Sequence, residues 1–451
     1  MDVNRKLSRR DFIATSSLLG AGVLVAPKLA GLGHAAGQPR VAHPRAAAAT
    51  VTYATDASLG PLLTPVINQF NSEYRPLTAQ LSLIPTDYET VIQTKLEAGA
   101  GGIDVVFSNA GYAEFWYESG WTRALDGFPG LASLNADIDP PSLKQDLFSS
   151  KDGKQIALPY YSNTLLFTYN KSLLAKHGVT VPTTWSEFTA ACEKLQKAGL
   201  DHPFAPFWDS DFGNTVFQFF AHCASQGMTK AFAANKEPIY DTSPIALEVL
   251  AQWQEWFKKG IVASDVLTSD YTSVAGQFNA GQAAFAIASG QFVKPWATTK
   301  GTPVYRNTAI ALMPGTTHGT FTEMATYMMA KATSNADNAW ELMRFLSWRD
   351  PKDGNAYVTP TDYLLKAFGL FAPYKGLLSE PETVKLMDFL DYGVYKKQAG
   401  LAQNLLYPAD HASWFAGWQT AMASELQAAI LGHTTPAKAL KTAANYARQR
   451  I

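Results

Sequence analysis

The sequence has little cysteine and no cluster of metal-binding residues. Only two cysteines, Cys192 and Cys223, occur in 451 residues, so neither a disulfide framework nor a thiolate metal cage can form. We expect both to be free thiols, because buried cysteine behaves as a small hydrophobic residue. The chain has no Cys-x-x-Cys or His-Glu-x-x-His motif, and its histidines beyond residue 50 are scattered. The sequence therefore predicts no metal and no cofactor.

The chain also lacks an excess of basic residues outside its N-terminus. Residues 1–49 hold seven Lys/Arg and two Asp/Glu, which leaves 30 basic and 36 acidic residues in 50–451. A mildly acidic body does not form the basic stripe that neutralises phosphates, so we expect no nucleic-acid partner. The length predicts two or three domains.

The N-terminus resembles a twin-arginine export signal. Arg9 and Arg10 precede an apolar stretch from 12 to 32 that is diluted by glycine, alanine and serine. That stretch is too polar for a membrane anchor, which needs about 20 apolar residues. Cleavage is expected near residues 35–36 or 46–49, and no cysteine for lipid attachment lies near either site. Residues 1–49 are therefore predicted to be a signal and leader, and the mature protein to be soluble and periplasmic or otherwise extracytoplasmic.

From residue 51 short strands alternate with amphipathic helices. Apolar runs at 51–53, 81–84 and 103–107 predict strands, and helical spacing of apolar residues occurs between them. Thr184 and Glu187 form a capping box that opens a further helix. This alternation predicts an α/β fold with a largely parallel sheet. No repeat, linker or charge block follows residue 50, so we expect compact lobes that share chain crossings.

Several ordered segments resemble one known family. The most specific runs from Gly153 to Leu174 and continues from Val181 to Phe188. The weaker ones are Ile103–Phe107, Phe278–Phe285, Leu312–Gly315, Met329–Lys331, Asn338–Leu346 and Gly432–Leu440. Together they cover residues 50–451 and are similar to the family 1 extracellular solute-binding proteins of ABC importers, which include maltose-binding protein.

The resemblance implies a two-lobed periplasmic-binding-protein-like α/β fold of type II, with a cleft between the lobes and hinge strands that join them. Lobe 1 is expected to hold residues 50–161 and 324–376, and lobe 2 residues 162–323 and 377–451. The implied function is that of a non-catalytic receptor that binds a carbohydrate or related polyol. It would deliver this solute, as a monomer, to the membrane subunits of an ABC permease.

Candidate ligand-binding residues follow the predicted strands, since ligands of open α/β sheets bind at the carboxyl ends of strands. Carboxylates and amides suit sugar hydroxyls, and flat aromatic rings suit sugar C–H faces. The polar candidates are Asp56, Asn109, Asn163 and Asp211, and the aromatic candidates are Tyr112, Tyr161, Trp208 and Trp414. A helix-cap or turn role is the alternative for Asp56 and Asn109, and core packing is the alternative for each aromatic residue.

One segment departs from the sugar-binding pattern. Gln291 stands in 288–292, where relatives often carry an aromatic residue, which leaves the identity of the solute open. Two other functions remain open. The same fold could bind a phosphorylated polyol or an amine, or the chain could be an exported glycoside-acting enzyme with a carboxylate pair. Asp209 with Asp211, or Glu114 with Glu118, could form such a pair, although the latter spacing is typical of a solvated helix face.

Replacing Arg9 and Arg10 together by lysine should leave the precursor in the cytoplasm, because the predicted signal depends on the arginine pair. Cell fractionation followed by immunoblotting measures the outcome. Normal export of the double variant would contradict the twin-arginine assignment.

Overall fold

The computed structural model describes residues 49–85, 88–99, 101–139, 141–209, 214–269, 271–349, 357, 364–367 and 369–451. Residues 1–48 of the predicted signal and leader lie outside this part of the chain. None of the helices within it is long and apolar enough to cross a membrane.

The strands form two main sheets and one short pair. The strands are β1 (Thr50–Asp56), β2 (Thr78–Ile84), β3 (Val105–Asn109), β4 (Leu158–Ser162), β5 (Leu166–Asn170), β6 (Phe204–Ala205), β7 (Phe285–Ala288), β8 (Thr308–Ala311), β9 (Thr320–Phe321), β10 (Met324–Met329) and β11 (Ala402–Gln403). The first sheet has the order β2-β1-β3-β10-β4 and the second has the order β6-β7-β5-β8. Strands β9 and β11 pair with each other.

Helices surround both sheets. They are α1 (Gly60–Glu73), α2 (Tyr88–Glu97), α3 (Ala110–Glu118), α4 (Leu131–Asp137), α5 (Lys171–Lys176), α6 (Trp185–Lys197), α7 (Asn214–Ser225), α8 (Pro244–Lys258), α9 (Tyr271–Asn279), α10 (Gly290–Thr298), α11 (Ala336–Ser347), α12 (Pro381–Leu386), α13 (Tyr392–Gly400), α14 (Phe415–Ile430) and α15 (Pro436–Arg448).

The α/β architecture is as predicted, but the strand directions are more mixed. Strand β1 runs parallel to β2 and β3, whereas β10 runs antiparallel to β3 and β4. Strand β5 runs antiparallel to both of its neighbours. The expectation of a largely parallel sheet was therefore wrong for the second sheet. The two strands concerned, β5 and β10, each follow a boundary that the sequence predicts between the lobes.

Each sheet has its own hydrophobic core. Lobe 1 buries Tyr53, Trp116 and Trp340 around the first sheet. In lobe 2, alternate residues of β5 point to opposite faces, so that Phe167 enters one core and Leu166 the other. The second sheet is consequently covered by helices on both faces.

The chain crosses between the lobes beside a short set of backbone hydrogen bonds. The backbone N–H of Asn163 donates to the carbonyl of Glu323 at 2.8 Å, and that of Leu165 donates to Phe321 at 3.1 Å. The N–H of Ser162 donates to the carbonyl of Phe371 at 2.9 Å. The predicted lobe boundaries at 161/162 and 323/324 lie beside these bonds. Near the third boundary, Leu364 and Leu370 belong to the lobe 1 core, and Leu365 and Phe371 belong to a lobe 2 core.

The predicted capping box is present at the start of α6. The N–H of Glu187 donates to the Thr184 hydroxyl at 3.2 Å, and the N–H of Thr184 donates to the Glu187 carboxylate at 3.3 Å. Two backbone donors that α6 would leave unpaired are thus satisfied by side chains.

Both cysteines are buried free thiols in lobe 2, as the sequence predicted. Burial raises the pKa of the thiols of Cys192 and Cys223, which keeps them in the unreactive protonated form. We expect a thiol reagent to label neither residue in the folded protein and to count two thiols per chain after denaturation without reductant. A count of zero in the denatured protein would indicate a disulfide and contradict this assignment.

Candidate functional site

A small cleft lies beside the chain crossings on the lobe 2 side and has a cavity volume of about 30 Å³. This volume is below the range for small-molecule sites. The residues that line the cleft are Asn163, Leu165, Phe207, Asn214, Phe217, Gln218, Ala288, Ser289, Gln291 and Phe292.

The carboxyl end of β7 forms one wall of the cleft, as expected for an α/β sheet. Strand β7 ends at Ala288, and Gln291 and Phe292 lie in the first turn of α10. Gly290 opens this helix, and a Cβ atom there would lie 2.1 Å from the carbonyl oxygen of Gly369. Position 290 must therefore be glycine for the backbone of Gly369 to pack against this wall of the cleft.

In two amide side chains of the cleft, the nitrogen has a hydrogen-bond partner and the oxygen has none. Nδ2 of Asn163 donates to Oε1 of Glu323 at 3.3 Å, and Nε2 of Gln218 donates to the carbonyl of Ile287 at 2.9 Å. The amide oxygens, Oδ1 of Asn163 and Oε1 of Gln218, are buried without a protein partner. A buried acceptor left unsatisfied costs about 1–3 kcal/mol, so both oxygens favour a ligand that donates hydrogen bonds.

Glu323 lies behind Asn163 in a position that favours its neutral form. Burial and the nearby Asp410 raise the pKa of the Glu323 carboxyl to about 7, although the hydrogen bond from Asn163 opposes this shift. The cleft is therefore backed by a carboxyl group that loses its negative charge as the pH falls below about 7.

Aromatic rings supply the apolar surface of the cleft. Phe207 and Phe292 lie with ring centroids 4.9 Å apart, and Phe217 stacks on Phe321 at 4.9 Å. Among the lining residues that the structure describes, none is Asp, Glu, Lys, Arg or His. Uncharged amides beside aromatic rings suit a neutral ligand with hydroxyl groups and C–H faces.

Of the sequence-predicted residues that the structure describes, two line this cleft, Asn163 and Gln291. Asn109 instead caps α3, where its Oδ1 accepts a hydrogen bond from the N–H of Tyr112 at 3.2 Å. This is the capping role that the sequence left open. Asp56 is half-buried at the end of β1, and Tyr112 packs on Trp116 with ring centroids 5.5 Å apart.

Trp208 is a core residue, which corrects the prediction that it faces the cleft. Its side chain is completely buried and stacks on Trp253 with ring centroids 4.2 Å apart. Its carbonyl accepts a hydrogen bond from Gln427 on α14. An aromatic residue after a strand can pack on either side of the loop, and here Trp208 packs against Trp253 and Phe204 in the core.

The other aromatic candidates lie outside the cleft lining. Tyr161 is half-buried beside Tyr160, and burial with the nearby Glu323 raises the pKa of its hydroxyl. Trp414 occupies the N-cap position of α14 and is half-buried against Phe232, with ring centroids 6.2 Å apart. Asp211 lies outside the described residues.

Of the four carboxylates considered for an enzyme, the structure describes Asp209, Glu114 and Glu118. Both oxygens of Asp209 accept hydrogen bonds from Asn214 Nδ2 at 3.1 Å. Glu114 is buried, and its Oε1 accepts from the N–H and hydroxyl of Ser150, whereas Glu118 is exposed. The expectation that Glu114 lies on a solvated helix face was wrong, because Ser149 and Ser150 of its own lobe and His411 of the other lobe lie against it.

Sequence reasoning missed Gln218 and the phenylalanines of the cleft. Gln218 interrupts the apolar run from 216 to 221 on α7, and this single amide within a buried helix was a usable signal. Phe292 directly follows Gln291, so the segment keeps an aromatic residue one position beyond the one considered. Phe207 and Phe217 carried no signal that separates them from core residues.

Residues 56–347 match the model of a protein family described as bacterial extracellular solute-binding protein. A binding protein of Brucella abortus is 23% identical over 397 residues, which cover 86% of this chain and 89% of that protein. The erythritol/L-threitol-binding protein of Mycolicibacterium smegmatis is 24% identical over 212 residues, or 41% of this chain and 44% of that protein.

Solved structures of similar fold include maltose-bound T. maritima MalE3, with a TM-score of 0.72, 18% identity, and coverage of 89% of this chain and 100% of that one. Another is a solute-binding protein of an ABC transporter from Agrobacterium vitis, solved with bound D-mannitol. It has a TM-score of 0.68 and 19% identity, and the match covers 89% of this chain and 98% of that one. Both are two-lobed α/β proteins like this chain, and at these identities the likeness concerns the fold.

Trp208→Ala should lower the free energy of unfolding by about 3–5 kcal/mol, because it leaves a cavity in the lobe 2 core. Equilibrium denaturation in urea measures this change, with Trp208→Phe as the matched variant that keeps an aromatic ring and should lose less. Unchanged stability of the alanine variant would return Trp208 to the candidates for ligand contact.

Proposed function

The chain belongs to the family of bacterial extracellular solute-binding proteins, and on that premise we propose that it binds a neutral polyol or carbohydrate in the cleft beside its hinge. It is the carbohydrate receptor of an ABC importer and delivers the solute to the permease subunits in the membrane. The family acts outside the cytoplasm and consists of binding proteins rather than enzymes. We assign this chain no catalytic step and a twin-arginine route of export.

The observation that carries the proposal is the pair of unpartnered amide oxygens, on Asn163 and Gln218, in one cleft. An oxygen of this kind accepts a hydrogen bond but cannot donate one. Hydroxyl groups of a sugar or polyol donate such bonds, and Phe207 and Phe292 offer apolar surface for the carbon skeleton.

The uncharged lining favours a neutral solute over the two charged alternatives. A phosphorylated polyol needs arginine or lysine, or a cluster of N–H donors, to replace its hydration. An amine needs carboxylates or an aromatic cage. The described lining residues offer no charged side chain, and similar proteins are reported with erythritol or L-threitol, D-mannitol and maltose as ligands.

The hinge provides a way to enclose the solute. Asn163 donates from its backbone to Glu323 and from its side chain to the same residue, so it belongs both to a chain crossing and to the cleft. Rotation of the lobes about such crossings is a recognised form of domain closure. Binding at Asn163 therefore couples the solute to the segment about which the lobes turn.

Gln218→Met should weaken solute binding about three- to tenfold, because it removes one hydrogen-bond acceptor at nearly constant volume and such a bond contributes about 0.5–1.5 kcal/mol. The solute is first found by thermal shift with erythritol, D-mannitol and maltose among the probes, since a ligand at 100 times its dissociation constant adds about 2.7 kcal/mol of stability. Isothermal titration calorimetry then measures the affinity.

Gln398→Met is the matched control. Gln398 is also a fully buried glutamine, but its amide bonds Met313 and His318 outside the cleft lining. This variant should lose stability and keep its affinity for the solute. Equal affinities of the wild type and Gln218→Met, or a response to phosphorylated or cationic probes alone, would contradict the proposal.

A further inference from the structure

A second polar cluster lies where the two lobes touch, and none of its members lines the cleft. Glu114 on α3 and Asp146 in the helical turn Pro141–Leu147 come from lobe 1, and Asn404, Asp410 and His411 come from lobe 2. Glu114, Asp146 and His411 are at most 1% exposed. We call these five residues the seam cluster.

The lobes approach closely at this point. A Cβ atom on Gly111, in the first turn of α3, would lie 2.2 Å from the backbone oxygen of Asp410. Glycine is therefore required at position 111 for the backbone of α3 to meet the turn Ala409–His411. The seam cluster is enclosed by backbone from both lobes.

Asn404 orients the two aspartates of the seam cluster. Its Nδ2 donates to Oδ1 of Asp146 at 3.2 Å and to Oδ2 of Asp410 at 2.7 Å. The second oxygen of each carboxylate, Oδ2 of Asp146 and Oδ1 of Asp410, is buried without a partner. One amide thus fixes both carboxylates and leaves one oxygen of each available.

His411 completes this group. Its Nε2 lies 3.9 Å from Oδ1 of Asp410, too far for a hydrogen bond, and both of its ring nitrogens are buried without a partner. One donor atom each from Asp146, Asp410 and His411 lies within 4.8 Å of the other two. The three side chains therefore present two oxygens and a nitrogen to a common space.

The other face of the imidazole meets a carboxylate. Nδ1 of His411 lies 4.0 Å from Oε2 of Glu114, and Oε1 of Glu114 is held by Ser149 and Ser150. A histidine that binds a metal through one nitrogen commonly donates the other N–H to a carboxylate, which fixes the tautomer and the ring orientation. Glu114 is placed to serve as that positioning residue.

We propose that the seam cluster binds one divalent transition-metal cation, Zn²⁺ or Mn²⁺, through Asp146, Asp410 and His411. Imidazole with two carboxylates is a ligand set that these cations accept. Donor atoms at metal bond lengths of 2.0–2.1 Å stand about 3.3 Å apart in a tetrahedral site, so small rotations of the side chains bring the group to bonding distance. Because the ligands come from both lobes, the cation holds the closed arrangement together.

The charge balance supports the same assignment. The fully buried Asp146 and its neighbour Asp410 share one uncharged hydrogen-bond partner, Asn404. Buried carboxylates without partners are costly. A divalent cation neutralises the two aspartates and satisfies the three unpartnered donor atoms at once.

The test uses the purified mature chain, stripped with EDTA and dialysed. Titration calorimetry with ZnCl₂ and with MnCl₂, and metal analysis after gel filtration, should find one cation per chain. Asp146→Asn and His411→Gln each remove a proposed ligand and should weaken the binding tenfold or more. Glu114→Gln should weaken it about 10- to 100-fold. The unfolding midpoint of the metal-free Glu114→Gln protein should stay unchanged. His433→Gln, at an exposed histidine, is the control and should bind like the wild type.

Asp410→Asn provides an independent second variant if Asp146→Asn does not fold, as judged by circular dichroism. The proposal is overturned if the wild type binds neither cation. It is also overturned if the variants bind the cation as the wild type does. A further contradicting result has two parts: Asp146→Asn raises the unfolding midpoint, and neither cation stabilises the wild type. That last result would mean that the aspartates share a proton.

Discussion

Polar side chains buried where the two lobes meet need partners, and the functional part of this molecule depends on that constraint. Each lobe fills its core with aromatic side chains, among them the stacked Trp208 and Trp253. At the junction the chain also buries amides, carboxylates and a histidine, several of which lack a protein partner. Because such groups destabilise the fold when unsatisfied, we propose that a solute and a cation complete them.

The junction has two parts with different chemistry. The cleft beside Asn163 offers neutral amide oxygens and phenylalanine rings, which suit hydroxyl groups. The seam cluster offers aspartates and His411, which suit a cation. Glu323 lies close to both, since it accepts a hydrogen bond from Asn163 in the cleft and has Asp410 of the seam cluster nearby.

Local patterns in the sequence predicted individual strands and helices, and the family resemblance supplied the two-lobed arrangement, but neither located most of the site. The capping box at Thr184 and the apolar runs of β1 and β3 are decided by neighbours in sequence, so they were predictable. The side of a loop on which Trp208 packs depends on Trp253, 45 positions away, and no local pattern encodes it. The seam cluster joins residues 114, 146 and 411, so no motif spacing could indicate a metal site there. Asn163 was found because it lies in the segment that carries the family resemblance.

The most direct measurement is a crystal structure of the mature chain with the neutral solute that raises its unfolding midpoint most. The account predicts solute hydroxyls about 2.5–3.2 Å from Oδ1 of Asn163 and Oε1 of Gln218, with the carbon skeleton against Phe207 or Phe292. A solute bound elsewhere, with both amide oxygens taken by protein groups or water, would contradict it.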